Sequence, residues 1–187
     1  MGMGEPMDNL SGLLKAVEIL TAGWGLAISS GNITVSTVGI KPGIVEFLEK
    51  TRCNLVLSLF SPFSEERQRV IPVEKAYPAE EIIGIMKSFP TDKKRRFSIA
   101  YVMIRDLNDT DTHLDRLKRL FHKSRVRINL LPYHTIADDP NLPSPPEKMN
   151  YFKHELVMSG ISASIRKSRG RDINAACGLL AGGHKTS

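Results

Sequence analysis

Short apolar segments alternate with segments of helical periodicity along almost the whole chain, and this alternation limits the fold more than any other feature. Leucines recur at helical spacing from Leu10 to Leu20, and Asp8 or Asn9 can serve as the N-cap. The β-branched segment 33–37 then predicts a strand. Repeated alternation of strand and helix is typical of a parallel sheet with right-handed crossovers. The sequence therefore predicts an α/β fold.

Five segments are predicted to be strands, and segments of helical periodicity lie between them. The second strand is apolar at nearly every position, which is typical of a strand that is buried on both faces. A second helix is predicted after Pro42-Gly43, and further helices are predicted to start at Pro78, after Thr110 or Asp111 as the cap, and at Pro145-Pro146. The predicted strands are 33–37, 55–59, 97–104, 126–131 and 162–166, and a last short helix is predicted over 173–180.

The chain has 187 residues, which is enough for one hydrophobic core and small for two. The sequence shows no internal repeat, and the proline-rich stretch 140–146 is interpreted as a loop. We therefore predict a single domain over residues 1–187. The first six residues are turn-like and no strand precedes them, so we expect the sheet to be incomplete on its N-terminal side.

The chain is basic, with a formal net charge of +6. A basic chain favours an anionic partner, RNA first, because Lys and Arg side chains contact phosphate groups. A solvated basic surface without any partner has the same net charge. Charge alone therefore leaves both interpretations open.

The two cysteines, Cys53 and Cys177, are too few for a disulfide framework. They are also too few for a metal or iron–sulfur site that is built from cysteines alone, so no metal ligand is predicted. Apolar runs fall short of the ~20 residues that a membrane helix needs. No secretory signal pattern opens the chain. We predict a cytoplasmic protein without a membrane partner.

Polar residues follow nearly every predicted strand. Ligands of parallel α/β folds bind at the carboxyl ends of the strands, so we expect one functional edge there. Exposure of loops explains each polar residue alone, but it explains the whole set less well. The residues are Ser36, Thr37, the segment 58–61, Arg105, Asp106, Asn108, Asp109, Tyr133, His134 and the segment 166–170.

Gly4 and Glu5 belong to a short glycine-rich turn that leads into the first helix. Glycine lets a ligand approach the backbone closely, and the Glu5 carboxylate can accept hydrogen bonds from an amine or a ribose. An ordinary turn without a ligand is the alternative.

Cys177 lies among small residues near the start of the last predicted helix. A cysteine in such a position can have a lowered thiol pKa and act as a nucleophile. Buried packing is the more frequent role of a free cysteine, and no Cys-His pair stands out in the sequence. Both roles are open on these grounds.

Two basic clusters stand out. The cluster 93–96 precedes a predicted strand, at the edge opposite to the expected ligand, so we interpret it as solvated surface. The second cluster lies near Cys177 at the ligand edge and is the better candidate for contact with RNA phosphates. It consists of Arg166, Lys167, Arg169 and Arg171.

Six stretches resemble the RlmN-type radical SAM methyltransferases in order and spacing, and they cover nearly the whole chain. The last stretch is the most specific, because R-x-S/T-R-G-x-D-I-x-A-A-C-G-x-L is hard to meet by chance. The stretches are GMGEP at 2–6, TVSTVG at 34–39, SLFSPFSEERQRVIPVEKAYP at 58–78, YVMIRDLNDT at 101–110, RINLLPYH at 127–134 and IRKSRGRDINAACGLLAGG at 165–183.

The resemblance implies a partial (β/α) barrel of the radical SAM type, incomplete at its N-terminal side. The implied activity is methylation of carbon-2 of adenine in 23S rRNA and, in many members, in tRNA, with no role for DNA. The implied cofactor is S-adenosyl-L-methionine, which a [4Fe-4S] cluster cleaves in intact family members.

The resemblance also implies site residues. Cys177 matches the catalytic cysteine of the family, which receives a methyl group. The cofactor contacts of the family map onto Gly4, Glu5, Ser36, Ser58, Leu59, Phe60 and His134. These positions lie at the same strand ends that the polar pattern selects.

The chain departs from the family in several places. Family members carry a CxxxCxxC motif that binds the cluster before GMGEP, and another catalytic cysteine before that; this chain has neither. We therefore expect the chain alone to be inactive. Phe60 replaces the usual His, His134 replaces the Asn of many members, and Ala100 replaces the Glu of many relatives.

We interpret the chain as the C-terminal portion of such an enzyme. A cluster-free descendant that binds RNA or a protein partner is the alternative, and Phe60 and Ala100 favour it. A third interpretation, a small α/β binding domain unrelated to methyl transfer, is disfavoured by the C-terminal motif. We also expect an exposed sheet edge to promote self-association.

Overall fold

A computed structural model describes residues 4–91, 95–135 and 139–166. Five strands form one sheet within them, and their order in space follows their order in the chain. Every neighbouring pair is parallel, which confirms the predicted parallel α/β fold. The strands are β1 Thr34–Thr37, β2 Asn54–Ser58, β3 Phe97–Met103, β4 Arg127–Pro132 and β5 Ala163–Ile165.

Helices connect the strands, as the alternating pattern predicts. The helix α3 was not predicted, because its sequence SEERQRV has no apolar periodicity and its one buried residue is Arg67. The last predicted helix, over 173–180, lies outside the described residues. The helices are α1 Leu10–Thr21, α2 Lys41–Lys50, α3 Ser64–Val70, α4 Ala79–Ser88, α5 Asp111–Phe121 and α6 Pro146–Met158.

The helix starts follow the predicted caps. Asn9 is the N-cap of α1, and its side chain accepts a hydrogen bond from the backbone N–H of Gly12 at 3.2 Å. Thr110 occupies the N-cap position of α5, but its hydroxyl contacts the His113 ring instead of the backbone. None of the helices in the described part of the chain is long and apolar enough to cross a bilayer.

The two faces of the sheet differ in burial. In β3, the side chains of Phe97, Ile99, Tyr101 and Met103 are buried in the hydrophobic core, and the residues between them are only half-buried. The core continues into buried apolar residues of α2, α4, α5 and α6. We call the half-buried side the open face. A parallel sheet in chain order with helices against one face is the arrangement of a partial (β/α) barrel.

The prediction that β2 is buried on both faces is wrong. Leu55 and Leu57 are fully buried in the core, but Val56 and Ser58 lie on the open face and are half-buried. An apolar residue such as Val56 raises the local hydrophobicity, but it does not show whether the face of the sheet on which it lies is packed against other elements. Continuous apolar composition therefore overestimated the burial of this strand.

The interpretation of the cluster 93–96 as solvated surface is wrong for Arg95. The Arg95 side chain is 3% exposed, donates a hydrogen bond to the Leu48 carbonyl at 2.7 Å, and lies 5.2 Å from the ring centroid of Phe97. Arg96 is exposed, as expected, whereas residues 93 and 94 lie outside the described part. Aromatic packing and a backbone acceptor explain why a guanidinium is buried here.

Because the five strands are parallel, their carboxyl ends lie together at one edge of the sheet and their amino ends at the opposite edge. We call these the carboxyl edge and the amino edge. The site residues predicted from the sequence that fall within the described residues lie at the carboxyl edge, or on the turn packed against it.

Candidate functional site

Glu5 joins the turn that precedes α1 to the carboxyl end of β1. Its Oε1 accepts hydrogen bonds from the Met7 backbone N–H (3.1 Å) and the Thr37 hydroxyl (2.6 Å), and its Oε2 accepts one from the Val38 N–H (2.8 Å). A carboxylate has about four acceptor positions, so this half-buried group can accept a further donor from a ligand. Three fixed hydrogen bonds set its orientation in advance.

Gly4 precedes this carboxylate with a φ of +111°, in the region that favours glycine. No heavy atom of the described residues lies within 4 Å of the position that a Cβ would take. The backbone at Gly4 is therefore open to close approach by a ligand.

Ser36 and Ser58 present their side chains on the open face near the carboxyl edge. Both are half-buried, and Ser58 is the register partner of Ala100 in β3. Ala100, at the position where the resemblance predicts a glutamate, therefore places a methyl group directly beside Ser58. The two hydroxyl groups are available for hydrogen bonds to a polar ligand.

Leu59 and Phe60 form the turn after β2. The Leu59 side chain is 1% exposed, and its N–H donates to the Ala100 carbonyl at 3.0 Å, so Leu59 offers a ligand neither side-chain contact nor a free N–H donor. Phe60 has a φ of +63°, in the left-handed region that a bulky residue rarely adopts. The turn after β2 thus holds a strained backbone at the carboxyl edge.

Arg67 from α3 fixes the carboxyl ends of β1 and β2. Its guanidinium donates to the carbonyl oxygens of Leu59 (3.0 Å) and Ser58 (3.1 Å), to that of Val38, and to the Glu74 carboxylate. Both charged side chains are almost fully buried. Burial lowers the pKa of Arg67 and the ion pair with Glu74 opposes this shift. The pair holds three backbone carbonyls of two strand ends in one arrangement.

Asn108 holds the carboxyl end of β3 in the same way as Arg67 holds those of β1 and β2. Its side chain is 0% exposed; Nδ2 donates to the carbonyls of Phe60 (2.7 Å) and Val102 (2.8 Å), and Oδ1 accepts from the Ile104 N–H (2.8 Å). The unusual backbone of Phe60 is therefore held by a buried side chain. Asn108 was predicted only as one of the polar residues at the functional edge, and Arg67 was assigned no role, because a polar residue within a polar stretch carries no periodic signal.

A chain of side-chain hydrogen bonds surrounds Glu66 on the helix side of this turn. The Ser61 hydroxyl donates to Glu66 Oε2 at 2.6 Å, His113 Nε2 lies 2.8 Å from the same oxygen, and Thr110 Oγ1 lies 2.7 Å from His113 Nδ1. Burial acts to raise the pKa of Glu66, but the hydrogen bonds from Ser61 and His113 and nearby positive charges lower it overall. This network connects the turn after β2 to α3 and α5.

His134 follows β4 at the same edge, two strand spacings or roughly 10 Å from β2. It is half-buried. The neighbouring Tyr133 donates a hydrogen bond to Asp139, and burial together with this contact raises the pKa of Tyr133 to about 12. This contact ties Tyr133, next to His134, to Asp139.

Arg166 lies immediately after β5, where its N–H donates to the Leu130 carbonyl at 2.9 Å and its side chain is exposed. The predicted catalytic Cys177 lies outside the described residues, as do the other predicted RNA contacts, Lys167, Arg169 and Arg171. Their roles stay predictions.

Cys53 does not contribute to the candidate site. It is fully buried before β2, at the amino edge, and burial raises the pKa of its thiol. Among the described residues, no group of three His, Cys, Asp or Glu side chains could hold a metal ion. Two cysteines in the whole sequence cannot supply the three thiolates of the CxxxCxxC type, so a [4Fe-4S] cluster does not fit this chain alone.

Known proteins similar to this chain are RNA methyltransferases. The chain is 44% identical over 180 residues to the probable dual-specificity RNA methyltransferase RlmN of Parabacteroides distasonis, covering 96% of the chain and 52% of that protein. It is 36% identical over 182 residues to the dual-specificity RNA methyltransferase RlmN of Syntrophotalea carbinolica, with 97% and 49% covered. The chain is related to the RlmN-type RNA methyltransferases. The predicted resemblance is confirmed, and the chain spans about half the length of the curated relatives it matches.

Solved structures confirm the fold. A radical SAM methyltransferase from Sphaerobacter thermophilus superposes with a TM-score of 0.89 at 34% identity, covering 96% of this chain and 53% of that one. A domain of the pyruvate-formate lyase-activating enzyme from Bacteroides vulgatus superposes with a TM-score of 0.63 at 18% identity and shows likeness of fold alone. No family model matches the chain.

Proposed function

We propose that the carboxyl edge binds S-adenosyl-L-methionine, and that the chain supplies this part of an RNA methyltransferase acting on carbon-2 of adenine in 23S rRNA and tRNA. The observation that carries the proposal is the Glu5 carboxylate, which Thr37 and Val38 hold in a fixed orientation beside the open face. The relationship to RlmN-type enzymes over 96% of the chain supports it.

The residues at this edge fit the polar groups of the cofactor. The free lone pairs of Glu5 suit an ammonium or ribose donor, and the open backbone at Gly4 allows close approach. Ser36 and Ser58 supply hydroxyl groups on the adjoining face, and His134 supplies a ring nitrogen from β4. The bound cofactor would provide the methyl group, and we propose Cys177 as the residue that carries it.

The chain alone is expected to bind the cofactor without catalysing methyl transfer. Its two cysteines do not provide a cluster site, so no radical step is derived for it. A cluster-free module that binds RNA or a protein partner is the second candidate. Ala100 beside Ser58 favours it, because an apolar methyl group replaces a carboxylate at the centre of the expected pocket.

Calorimetric titration of S-adenosyl-L-methionine into the purified chain tests the cofactor site. We expect saturable binding that Glu5→Ala weakens about tenfold or more, since a charged hydrogen-bond partner is lost. Asp8→Ala is the matched control, because Asp8 is an exposed carboxylate three residues away. Phe60→His should strengthen binding by restoring the polar residue that relatives carry.

Two outcomes would overturn the cofactor proposal. Wild-type chain that shows no saturable binding, even with Phe60→His, would leave only the binding-module interpretation. Equal weakening by Asp8→Ala and Glu5→Ala would show that general charge, not the oriented carboxylate, attracts the ligand. Thr37→Val then separates orientation from charge, because it keeps the carboxylate but removes the hydrogen bond that Thr37 donates to Glu5, along with the one it accepts from the Gly39 N–H.

We further propose that Arg166, Lys167, Arg169 and Arg171 contact RNA phosphates next to this edge, in a cytoplasmic protein. Arg166 is exposed at the end of β5, which supports the placement. Arg166→Gln should weaken binding of a short adenine-containing RNA severalfold and flatten its salt dependence. Arg119→Gln, an exposed arginine on α5, should leave both unchanged. An identical effect of the two substitutions would reject a local contact.

Self-association through β1 is the last part of the proposal. Within the described residues β1 pairs with β2 only, and neither lysine nor proline protects its outer edge. Sedimentation should therefore show concentration-dependent dimers that Thr34→Lys reduces. A strictly monomeric profile at high concentration would reject this idea.

A further inference from the structure

A groove of about 600 Å³ runs across the open face from β1 to β5. Its lining combines hydroxyl and amide side chains with four guanidinium groups, and no carboxylate of the described residues contributes to it. The four arginines are Arg96, Arg125, Arg127 and Arg166. Within the described ranges, none of them forms an ion pair.

Three of these arginines lie close together at the amino edge. Arg127 is the register partner of Ser98, so Arg96 and Arg125, each two residues earlier, begin the same two neighbouring strands side by side. Neighbouring strands are roughly 4.8 Å apart. All three side chains are exposed. Strand pairing therefore brings together three positive charges that are separate in the sequence.

Such a cluster is unfavourable without a counter-charge, because like charges on neighbouring strands destabilise a sheet. Two arginines elsewhere have carboxylate partners, Arg67 with Glu74 and Arg116 with Glu80. The one side-chain hydrogen bond here is from Arg127 Nε to the neutral Ser162 hydroxyl at 3.1 Å. A concave surface lined by one sign of charge concentrates anions.

We propose that the amino-edge end of the groove is a binding site for the phosphate group of a nucleotide or a short RNA, with Arg96, Arg125 and Arg127 as its ligands. The guanidinium fork matches phosphate oxygens in a bidentate manner. Asn129 adds a neutral donor: its Oδ1 accepts from Ser164, while its amide nitrogen has no acceptor among the described residues. A single phosphate thus meets cationic and neutral donors on one face.

This site is separate from the proposed cofactor site and does not depend on it. Leu131 is the fourth residue after Arg127 in β4, which corresponds to roughly 13 Å along the strand. Both ends of the groove can therefore be occupied at once. Titrating S-adenosyl-L-methionine into the same variants shows which of the two proposals fails, since Arg125 and Arg127 should not affect that binding.

Phosphorus NMR and calorimetric titration of the full chain test the phosphate site, with inorganic phosphate, adenosine monophosphate and a short single-stranded RNA as probes. Arg125→Gln with Arg127→Gln should weaken binding of all three probes by about tenfold or more. The control removes two exposed arginines outside the groove, by Arg52→Gln with Arg119→Gln, and should leave affinity within about twofold. Arg127→Lys keeps the charge and should give an intermediate loss, because the fork is absent.

The probes also separate the two sources of the phosphate. Equal affinity for the monophosphate and the RNA indicates a mononucleotide site. Tighter RNA binding with a steeper salt dependence indicates that the groove follows an RNA backbone. Absence of saturable binding by any probe, or an equal loss in the Arg52/Arg119 control, would overturn the proposal.

Discussion

The two edges of the sheet use the same residue type in opposite ways. At the carboxyl edge, Arg67 is 1% exposed and its donors are bound to three backbone carbonyls and a buried carboxylate. At the amino edge, Arg125 and Arg127 are exposed, and within the described ranges their one side-chain hydrogen bond is that of Arg127 to Ser162. A buried arginine positions the backbone that a ligand would meet, whereas exposed arginines offer their charge directly. The comparison predicts that stability depends on the first edge and anion affinity on the second.

The strongest test of this contrast is Arg67→Met. Removing the guanidinium leaves Glu74 as a buried charge without its cation, so we expect a loss of about 3–5 kcal/mol in the free energy of unfolding. Urea denaturation measures this loss. Arg69→Met on the same helix is the control, and it should change stability by less than about 0.5 kcal/mol because Arg69 is exposed. Similar losses for both variants would remove the distinction between the edges.

Asn108→Ala tests whether the fixation extends to β3. Three hydrogen bonds of a fully buried side chain are lost, and we expect destabilisation by about 3 kcal/mol. Asn150→Ala on the exposed side of α6 should have little effect. Amide exchange should also become faster in the turn after β2, because Phe60 loses the donor to its carbonyl. Unchanged exchange there would contradict the assigned role.

The stability that Glu66 contributes at the carboxyl edge is expected to depend on pH. Its pKa is lowered from an ordinary value of 4.5 in the folded chain, so the carboxylate contributes stability above that value and loses it as the pH falls through the lowered value. Wild type should therefore exceed Glu66→Gln in stability at neutral pH, and the two should converge as the pH falls through the lowered pKa of Glu66. A gap that widens on acidification would show the opposite sign. Denaturation midpoints at several pH values decide the matter.

The smallest effect is expected from Arg127→Gln at the amino edge. Losing one repulsive charge and one exposed hydrogen bond should change stability by less than about 0.5 kcal/mol in either direction. Any stabilisation should be larger in dilute buffer than at high salt, because salt screens repulsion between exposed charges. A loss comparable to that of Arg67→Met would mean that the amino edge is structural as well.

The sequence predicts the fold because the spacing of apolar residues indicates which side chains of each helix and strand are buried in the core. The predicted starts and ends of the strands differ from the structure by about one residue, as for 55–59 against Asn54–Ser58. The common carboxyl edge also follows from parallel topology alone. Ser36 and His134 are therefore placed there without any knowledge of side-chain contacts, whereas Glu5 reaches the edge through its hydrogen bonds to Thr37 and Val38.

No comparable sequence pattern predicts the buried polar network of Arg67 and Asn108 beneath the carboxyl edge. Arg67 lies in the charged segment SEERQRV, which has the composition of a surface helix, yet its side chain is buried. Asn108 lies in a segment whose composition is that of an ordinary turn. The cluster of Arg96, Arg125 and Arg127 becomes visible only when strand register is known. The assignment of Cys177 stays a prediction from the resemblance, and the assignments of Lys167, Arg169 and Arg171 stay predictions from their charge and position in the sequence.

The order of the strands has a consequence for folding. Each strand pairs with the one that precedes it in the chain, so no strand must wait for a distant later segment before it can join the sheet. When neighbouring strands are close in sequence, the loop between them is short. Closing it then costs less conformational entropy before the strands can pair. A chain emerging from the ribosome can therefore assemble this sheet one βα unit at a time, with each finished strand serving as the template for the next.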